Sequence, residues 1–365
     1  MKIAALKERA PYENRTAITP ETVKLYIKKG FSVSIEQDLG LAAGFIDDEY
    51  LTAGATISNV VAEVLLNADI ILKVQPTPLI DQDNEIDLAK RGTVIIGLLS
   101  PYQNSAYIER LLDKGLSGIA MERMPRITKA QNMDVLSSQS NLAGYRASIE
   151  AMYHYNRAIP MMMTAAGTIT PAKVLVMGVG VAGLQAIATM KRMGAVVSGY
   201  DVRNSTKEQV QSLGAKFISP DNIDMEESSG YAKESSVEDK QKQQQLLITT
   251  CKNYDIIITT ALIPGKQAPR LIDKNIIELL KPGTIIVDMA VGSGGNVEGS
   301  KIDEIVVINN IKIIGWSNLA SKVAKDSSQL YAKNLYNFLS HAILDGNINM
   351  NDDLVKSTLL TNNQK

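Results

Sequence analysis

Short apolar runs alternate with stretches of helical periodicity along the first half of the chain. The apolar runs predict strands at Lys2–Leu6, Phe31–Ile35, Asp69–Val74 and Val94–Leu99. Amphipathic stretches predict helices at Glu21–Lys29, Val60–Leu66 and Ser105–Lys114. Strands that alternate with helices require right-handed crossovers, so this half is expected to form a parallel, doubly wound sheet.

The second half repeats this alternation around the stretch Lys173–Asp201. Val174–Met177 reads as a buried strand, a helical pattern follows to Gly194, and Ala195–Tyr200 reads as the next strand. Further strands are predicted at Asp255–Ala261, Thr284–Ala290 and Ile311–Gly315. The chain is therefore expected to hold two α/β domains with a cleft between them, one comprising 1–134 and 321–365 and the other 135–320.

Three glycines follow the strand Val174–Met177 in the pattern G-x-G-x-x-G. Gly178 would make the tight turn, Gly180 would let the backbone approach a pyrophosphate, and Gly183 would allow close helix–strand packing. Asp201 ends the next strand, where its carboxylate would accept from the ribose 2′-hydroxyl of NAD and repel the 2′-phosphate of NADP. The pattern predicts a Rossmann-like domain that binds NAD. The alternative is a glycine-rich turn in an ordinary α/β unit.

Ligands of open parallel sheets bind at the carboxyl ends of the strands, so Ala261-Leu262, Ala290 and Ser317-Asn318 are candidates to line the nicotinamide side. Besides the three glycines and Asp201, the other candidate cofactor contacts in this domain are Val179, Val181, Ala182, Val202 and Arg203.

Composition narrows the classes of partner. Charged residues make up 21% of the 365 residues and the net charge is −1, which gives no electrostatic reason to expect nucleic acid or anionic lipid. The single cysteine, Cys251, excludes a disulfide framework and is expected to be a buried core thiol in a protein of a reducing compartment. The apolar stretch Ala158–Gly167 is too short to span a membrane, and neither His154 nor His341 has the neighbours of a metal site.

Two polar segments interrupt the pattern. Arg123–Ala147 begins as an expected exposed loop, after which Ser140 or Asn141 would cap a helix. The segment 221–245 has few large apolar side chains and is interpreted as a mobile lid in which Tyr231 closes on the ligand. A solvated helix or a disordered insertion is the alternative for this segment.

Six motifs together resemble the NAD-binding subunit of proton-translocating NAD(P) transhydrogenase, a relative of alanine dehydrogenase. They are KERAPYENRTAITP, RMPRITKAQNMDVLSSQSNLAGYRA, GVGVAGLQA, GYAKE, TTALIPGK and AKNLYNFL. The resemblance implies that Arg126, Gln131 and Asp134 face the nicotinamide, with Ser137 beside them. It also implies a mobile tyrosine loop at Tyr231.

The acid–base groups of alanine dehydrogenase have no counterpart in this chain. GLLSPYQN stands where the dehydrogenase has a histidine, and Gly292 stands where it has an aspartate, although Arg15 and Lys73 match its carboxylate-binding positions. Direct hydride transfer between two nicotinamides needs positioning rather than proton transfer. Two departures from the transhydrogenase pattern concern the nicotinamide edge: Gly292-Ser293 replaces Glu-Ala, and Trp316 replaces histidine.

The resemblance implies a transhydrogenase component that binds NAD(H), while a partner subunit holds NADP(H). It also implies a homodimer that joins a membrane-embedded subunit at the cytoplasmic face of the inner membrane without itself entering the bilayer. An alanine dehydrogenase-like oxidoreductase and a non-catalytic NAD-binding scaffold remain the alternatives.

Overall fold

The structure is a computed structural model that describes residues 1–79, 84–220, 237–263 and 266–360. The chain divides into two compact units. The first comprises residues 1–139 and 320–365, and the second comprises residues 140–319.

The first unit opens with alternating strands and helices. They are β1 (Lys2–Ala5), α1 (Pro20–Lys28), β2 (Ser32–Glu36), α2 (Asp47–Ala53), β3 (Thr56–Ser58), α3 (Val61–Leu65), β4 (Ile70–Leu72), α4 (Glu85–Leu88), β5 (Val94–Gly97), α5 (Ser105–Asp113) and β6 (Ser117–Ala120). Thr19 starts α1 with a capping box, in which its hydroxyl accepts from the Thr22 N–H and Pro20 supplies the first helical residue. These strands pair in parallel in the order β6-β5-β4-β1-β2-β3.

The helix α6 (Val135–His154) follows a 3₁₀ segment at Thr128–Met133. The expected cap at Ser140 or Asn141 is wrong, because both residues lie inside α6. Asp134 precedes the helix instead, and its carboxylate accepts from the Ser137 N–H at 2.9 Å and the Ser137 hydroxyl at 2.6 Å. The expected exposed loop is therefore partly replaced by helical structure.

The second unit contains a short hairpin and then a Rossmann-like alternation. Its elements are β7 (Met162–Thr164), β8 (Gly167–Ile169), β9 (Lys173–Met177), α7 (Val181–Arg192), β10 (Val196–Tyr200), α8 (Lys207–Ser212), β11 (Lys216–Ile218), α9 (Val237–Cys251), β12 (Ile256–Thr259), α10 (Lys274–Leu279), β13 (Ile285–Asp288), β14 (Ile305–Ile308) and β15 (Ile311–Ile314). The sheet order is β11-β10-β9-β12-β13-β15-β14, and every pair is parallel except β14–β15. Because helices cover both faces, the central strands are almost wholly apolar.

The chain then returns to the first unit and completes it. The last elements are α11 (Ala324–Ala342), β16 (Ile343–Leu344), β17 (Asn347–Ile348), α12 (Asp353–Thr358) and β18 (Leu359–Leu360). Tyr331, Leu335 and Phe338 of α11 are fully buried in the core that contains Ile3 and Ile35. β18 pairs antiparallel with β6 and forms the seventh strand of this sheet.

The predicted α/β class with two parallel, Rossmann-like sheets is confirmed. Cys251 is buried as expected, and burial raises the pKa of its thiol to about 12. Within the segment 221–245, residues 237–245 form the start of α9, which suits their content of Glu, Lys and Gln. The rest of it, with Tyr231, lies outside the described residues. Among the residues described, no helix is long and apolar enough to cross a membrane.

Candidate dinucleotide-binding site

The predicted cofactor contacts of the second unit lie at the carboxyl ends of neighbouring strands. β9 pairs with β10 on one side and β12 on the other, so the strand order reverses at β9. Gly178 follows β9, Asp201 follows β10, and Ala261 comes two residues after β12. Parallel strands bring these ends to one edge of the sheet, where open α/β sheets bind their ligands.

The three glycines meet different constraints. A Cβ at Gly183 would lie 2.0 Å from the Gly178 carbonyl oxygen, and a Cβ at Gly178 would lie 2.8 Å from the Ala261 nitrogen. Gly178 also has a φ of +92°, which disfavours any other residue. A Cβ at Gly180 would meet nothing within 4 Å, so this glycine borders open space at the start of α7. This arrangement fits a pyrophosphate at a helix N-terminus.

Asp201 is tied to the glycine loop. Its carboxylate accepts from the Val179 N–H at 2.7 Å and from the Arg203 N–H at 2.9 Å. The guanidinium of Arg203 adds bonds of 2.9 Å from Nε and 2.8 Å from Nη2. Asp201 is 5% exposed, so the protein holds this carboxylate in a fixed position beside the loop.

The helix α6 lies directly against the start of α7. A Cβ at Gly144 would lie 2.1 Å from the carbonyl oxygen of Ala182. The hydroxyl of Ser148, one turn later, donates to the Gly144 carbonyl at 3.1 Å and lies 3.4 Å from the Ala186 carbonyl. Gly144 thus allows a backbone contact that supports the first turn of α7, a role that the sequence pattern did not indicate.

A buried polar network fixes the segment after β12. The Asn296 amide oxygen accepts from the Ala261 N–H at 3.0 Å, and its NH₂ group donates to the carbonyls of Ala261 (2.9 Å) and Pro269 (2.7 Å). Asp288, fully buried at the end of β13, accepts from the Thr259 hydroxyl and the Asn296 N–H. Neither residue was singled out from the sequence. An aspartate at the end of the apolar run of β13 could have indicated a buried, hydrogen-bonded carboxylate.

The Thr260 hydroxyl joins this segment to the glycine loop by donating to the Gly178 carbonyl at 2.8 Å. Leu262, next to Ala261, is 45% exposed. The candidate contacts Val181, Ala182 and Val202 are half-buried or exposed at the same edge of the sheet. The second unit therefore brings together the glycine loop, Asp201 and the residues that follow β12.

The two departures near the expected nicotinamide edge have different surroundings. A Cβ at Gly292 would meet open space, so packing does not require glycine there. The Trp316 indole N–H donates to Glu150 Oε2 at 2.9 Å, and Glu150 Oε1 accepts from the Arg146 guanidinium at 2.6 Å. Trp316 therefore ties the segment after β15, which includes Asn318, to α6.

The residues implied to face the nicotinamide lie on one stretch of the first unit. Arg126 and Gln131 are exposed, whereas Asp134 and Ser137 are half-buried and bonded to each other. The Asn132 carbonyl accepts from the side chains of Asn334 (2.8 Å) and Asn337 (3.0 Å) on α11, which anchors this stretch.

The two cations that the resemblance to alanine dehydrogenase implies as carboxylate-binding residues are paired inside the first unit. Lys73 is fully buried with its Nζ 3.2 Å from Glu8 Oε2, and Arg15 donates to both oxygens of Glu13 at 2.8 and 2.6 Å. Gln139 accepts a further bond from Arg15 at 2.8 Å.

The pKa of Glu8 is raised because its burial outweighs the opposing effect of Lys73. Lys73 and Arg15 are thus each paired with a carboxylate of the chain itself.

Comparison with known proteins places these features in a family. The profile "Alanine dehydrogenase/PNT, N-terminal domain" matches residues 4–143, and "Alanine dehydrogenase/PNT, C-terminal domain" matches residues 147–365. The chain is 58% identical to a Rickettsia prowazekii protein that is named as the first part of NAD(P) transhydrogenase subunit alpha, with 100% of this chain and 96% of the relative covered. For the protein of the same name from Rhodospirillum rubrum, the identity is 50%, with 99% and 96% covered.

A solved structure agrees with this relationship. The transhydrogenase from Sinorhizobium meliloti superposes with a TM-score of 0.85 at 44% identity, covering 98% of this chain and 97% of that chain. The alanine dehydrogenase of Methanococcus maripaludis is 30% identical, with 85% of this chain and 77% of the relative covered. The chain therefore belongs to the alanine dehydrogenase/PNT family, and its identity to the transhydrogenase alpha subunits exceeds its identity to this alanine dehydrogenase.

Proposed function

We propose that this protein is the NAD(H)-binding component of a proton-translocating transhydrogenase. The observation that carries the proposal is the carboxylate of Asp201, which is held beside the glycine loop where the adenosine ribose of a bound dinucleotide would lie. A carboxylate at this position accepts hydrogen bonds from ribose hydroxyls and repels a 2′-phosphate. NAD(H) is therefore the cofactor of this chain, and NADP(H) binds to a partner subunit.

Hydride transfer is the chemistry that the bound nicotinamides supply. Arg126, Gln131 and Asp134 are proposed to orient the nicotinamide of NAD(H), and Tyr231 is proposed as a further contact. The contribution of the protein is then position and exclusion of water rather than proton transfer. The absence of a histidine in GLLSPYQN and of an aspartate at Gly292 supports a role in positioning rather than in proton transfer.

The alternative activity, oxidation of an amino acid, is less well supported. It would require a cation for the substrate carboxylate and an acid–base group for its amine. Lys73 and Arg15 are already paired with Glu8 and Glu13. A substrate carboxylate would have to displace a buried glutamate from one of them, which is unfavourable because it separates a buried carboxylate from its cation.

A second copy of this chain is the proposed partner at the β7–β8 hairpin. Residues 161–170 are all exposed, and Met161 and Met163 are exposed by 60% and 79%. Methionine adapts its shape to a partner surface, and a hairpin on its own is at best marginally stable in water. These features support a homodimer in which the hairpin is covered.

The remaining partners follow from the relatives, which are named as alpha subunits of NAD(P) transhydrogenase. We propose that the chain joins a membrane-embedded subunit at the cytoplasmic face of the inner membrane, and that this subunit couples hydride transfer to proton translocation. The chain itself would remain peripheral to the bilayer.

Reconstitution tests the proposed function directly. The purified chain is mixed with the NADP-binding domain of a transhydrogenase, and reduction of an NAD analogue by NADPH is followed by absorbance. Turnover that requires both proteins is expected. Turnover with alanine and NAD in the absence of the partner would instead support the amino-acid dehydrogenase, and NADH binding without either activity would support the scaffold.

A further inference from the structure

The carboxylate of Asp201 has its acceptor capacity filled by the protein. Oδ1 accepts from the backbone N–H and from Nε of Arg203, both at 2.9 Å. Oδ2 accepts from the Val179 N–H at 2.7 Å and from Arg203 Nη2 at 2.8 Å. An ionised carboxylate offers roughly four lone-pair sites. A ribose hydroxyl can therefore donate to Asp201 only if one of these donors leaves.

The donors differ in how readily they can leave. The N–H groups of Val179 and Arg203 belong to backbone that follows β9 and β10, so they cannot withdraw without moving the glycine loop or the strand end. The guanidinium is the end of a long side chain, and the Arg203 side chain as a whole is 16% exposed. It supplies one bond to each carboxylate oxygen, and two ribose hydroxyls would supply the same number of donors to the same atoms.

We propose that the Arg203 guanidinium occupies the ribose-binding positions of Asp201 in the free protein and, once displaced, weakens the discrimination between NAD and NADP. The inference rests on the proposed function, because it assumes that adenosine ribose binds at Asp201. It assigns to Arg203 a specificity-determining role.

The charge of Arg203 accounts for the weakened discrimination. A lone carboxylate repels a 2′-phosphate, but the Arg203–Asp201 pair has no net charge. A guanidinium that leaves the carboxylate remains tethered two residues away, where it can pair with a 2′-phosphate in bidentate geometry. NADP(H) therefore meets less repulsion than Asp201 alone would impose, whereas NAD(H) must displace the guanidinium and gains no phosphate contact.

Calorimetric titration with NADH and NADPH measures this effect. For Arg203→Ala we expect the ratio of the two dissociation constants, NADPH over NADH, to rise about tenfold or more, since charge-assisted hydrogen bonds to phosphate are lost only for NADPH. Effects on the shared pyrophosphate cancel in this ratio. Arg203→Lys keeps the charge without the planar fork and should give an intermediate ratio.

Arg192→Ala is the matched control, because it removes an exposed arginine at the far end of α7 and should leave the ratio unchanged. If the Arg203–Asp201 ion pair had a purely structural role, its loss would weaken the binding of both cofactors equally. An unchanged or lowered ratio in Arg203→Ala, with Arg203→Lys as a folded second test, overturns the inference. The proposed function is unaffected by that result as long as the wild type binds NADH and is active in the reconstitution assay. Failure of the wild type to bind NADH overturns both.

Discussion

The backbones of Gly183 and Gly178 are so close that a side chain cannot fit between them. A Cβ at Gly183 would lie 2.0 Å from the Gly178 carbonyl oxygen, whereas a Cβ at Gly180 would meet open space. The two outer glycines are thus required by packing and backbone conformation, and the middle one borders the space proposed for the pyrophosphate.

This contrast yields a matched pair of variants. Gly183→Ala should lower the free energy of unfolding by about 1–3 kcal/mol or more, because backbone atoms must shift. Gly180→Ala should change it by less than about 1 kcal/mol but weaken NADH binding about tenfold or more, because the methyl group takes up space beside the ligand. Urea denaturation and calorimetric titration measure the two effects. Normal NADH affinity in Gly180→Ala would contradict this location of the pyrophosphate.

Alanine should not reduce NAD at a measurable rate with this protein. Arg15 and Lys73 are paired with Glu13 and Glu8, and no histidine occurs in GLLSPYQN. Absorbance of NADH at high alanine concentration provides the measurement, with a known alanine dehydrogenase as positive control. Sustained pyruvate formation would show that the acid–base group lies elsewhere in the chain.

The β7–β8 hairpin should be required for dimer formation. Met163→Glu places a charge at a side chain that is exposed by 79% within the chain, so it should leave the fold unchanged and shift the protein toward monomer. Light scattering coupled to size-exclusion chromatography gives the mass, and Tyr102→Glu, at an exposed side chain of the other unit, is the control. A wild-type monomer, or a Met163→Glu dimer of wild-type stability, would refute the proposed interface.

Asp352 should stabilise the first unit in a pH-dependent manner. Partial burial alone would raise its pKa, but the Val355 and Leu354 N–H groups and His341 outweigh burial, and the pKa lies below its usual value. The stabilisation is thus fully present above the unfolded pKa of about 3.9 and is lost as the pH falls through the folded pKa. Asp352→Ala should cost about 0.5–2 kcal/mol near neutral pH and progressively less in acid.

Urea denaturation of wild type and Asp352→Ala at about pH 7 and about pH 3 checks this dependence. Asp353→Ala, one residue later in α12, removes a carboxylate that does not cap the helix and should cost less. If Asp352→Ala lowers the free energy of unfolding by the same amount at both pH values, the ionised carboxylate of Asp352 is not what stabilises the start of α12.

Contiguous features of the candidate site could be predicted from the sequence. The segment from β9 through Gly178 to Asp201 is local, so periodicity and glycine spacing were sufficient to predict it. The role of Asn296 could not be predicted, because its partners Ala261 and Pro269 are distant in sequence and meet only after the sheet forms. The same reason applies to the contact between Gly144 and Ala182.

Competition between local signals explains the error at α6. Ser140 and Asn141 are both good N-caps, but the Asp134 carboxylate accepts from the Ser137 N–H and the helix already starts at Val135. The exposed hairpin at Met162–Ile169 was not predicted. The sequence of an apolar run does not show whether the run packs against the core of its own chain or against another chain. The prediction for Tyr231 lies outside the described residues and stays a prediction.

The return of the chain to its first unit affects how the protein folds during synthesis. Residues 140–319 form one continuous unit, whereas the sheet that starts with β1 lacks α11 and β18 until 320–360 have been made. The buried side chains of Tyr331, Leu335 and Phe338 are absent until then. We therefore expect the apolar surface around β1 and β2 to stay exposed while the second unit is synthesised and folds, and exposed apolar surface of this kind is what chaperones protect in nascent chains.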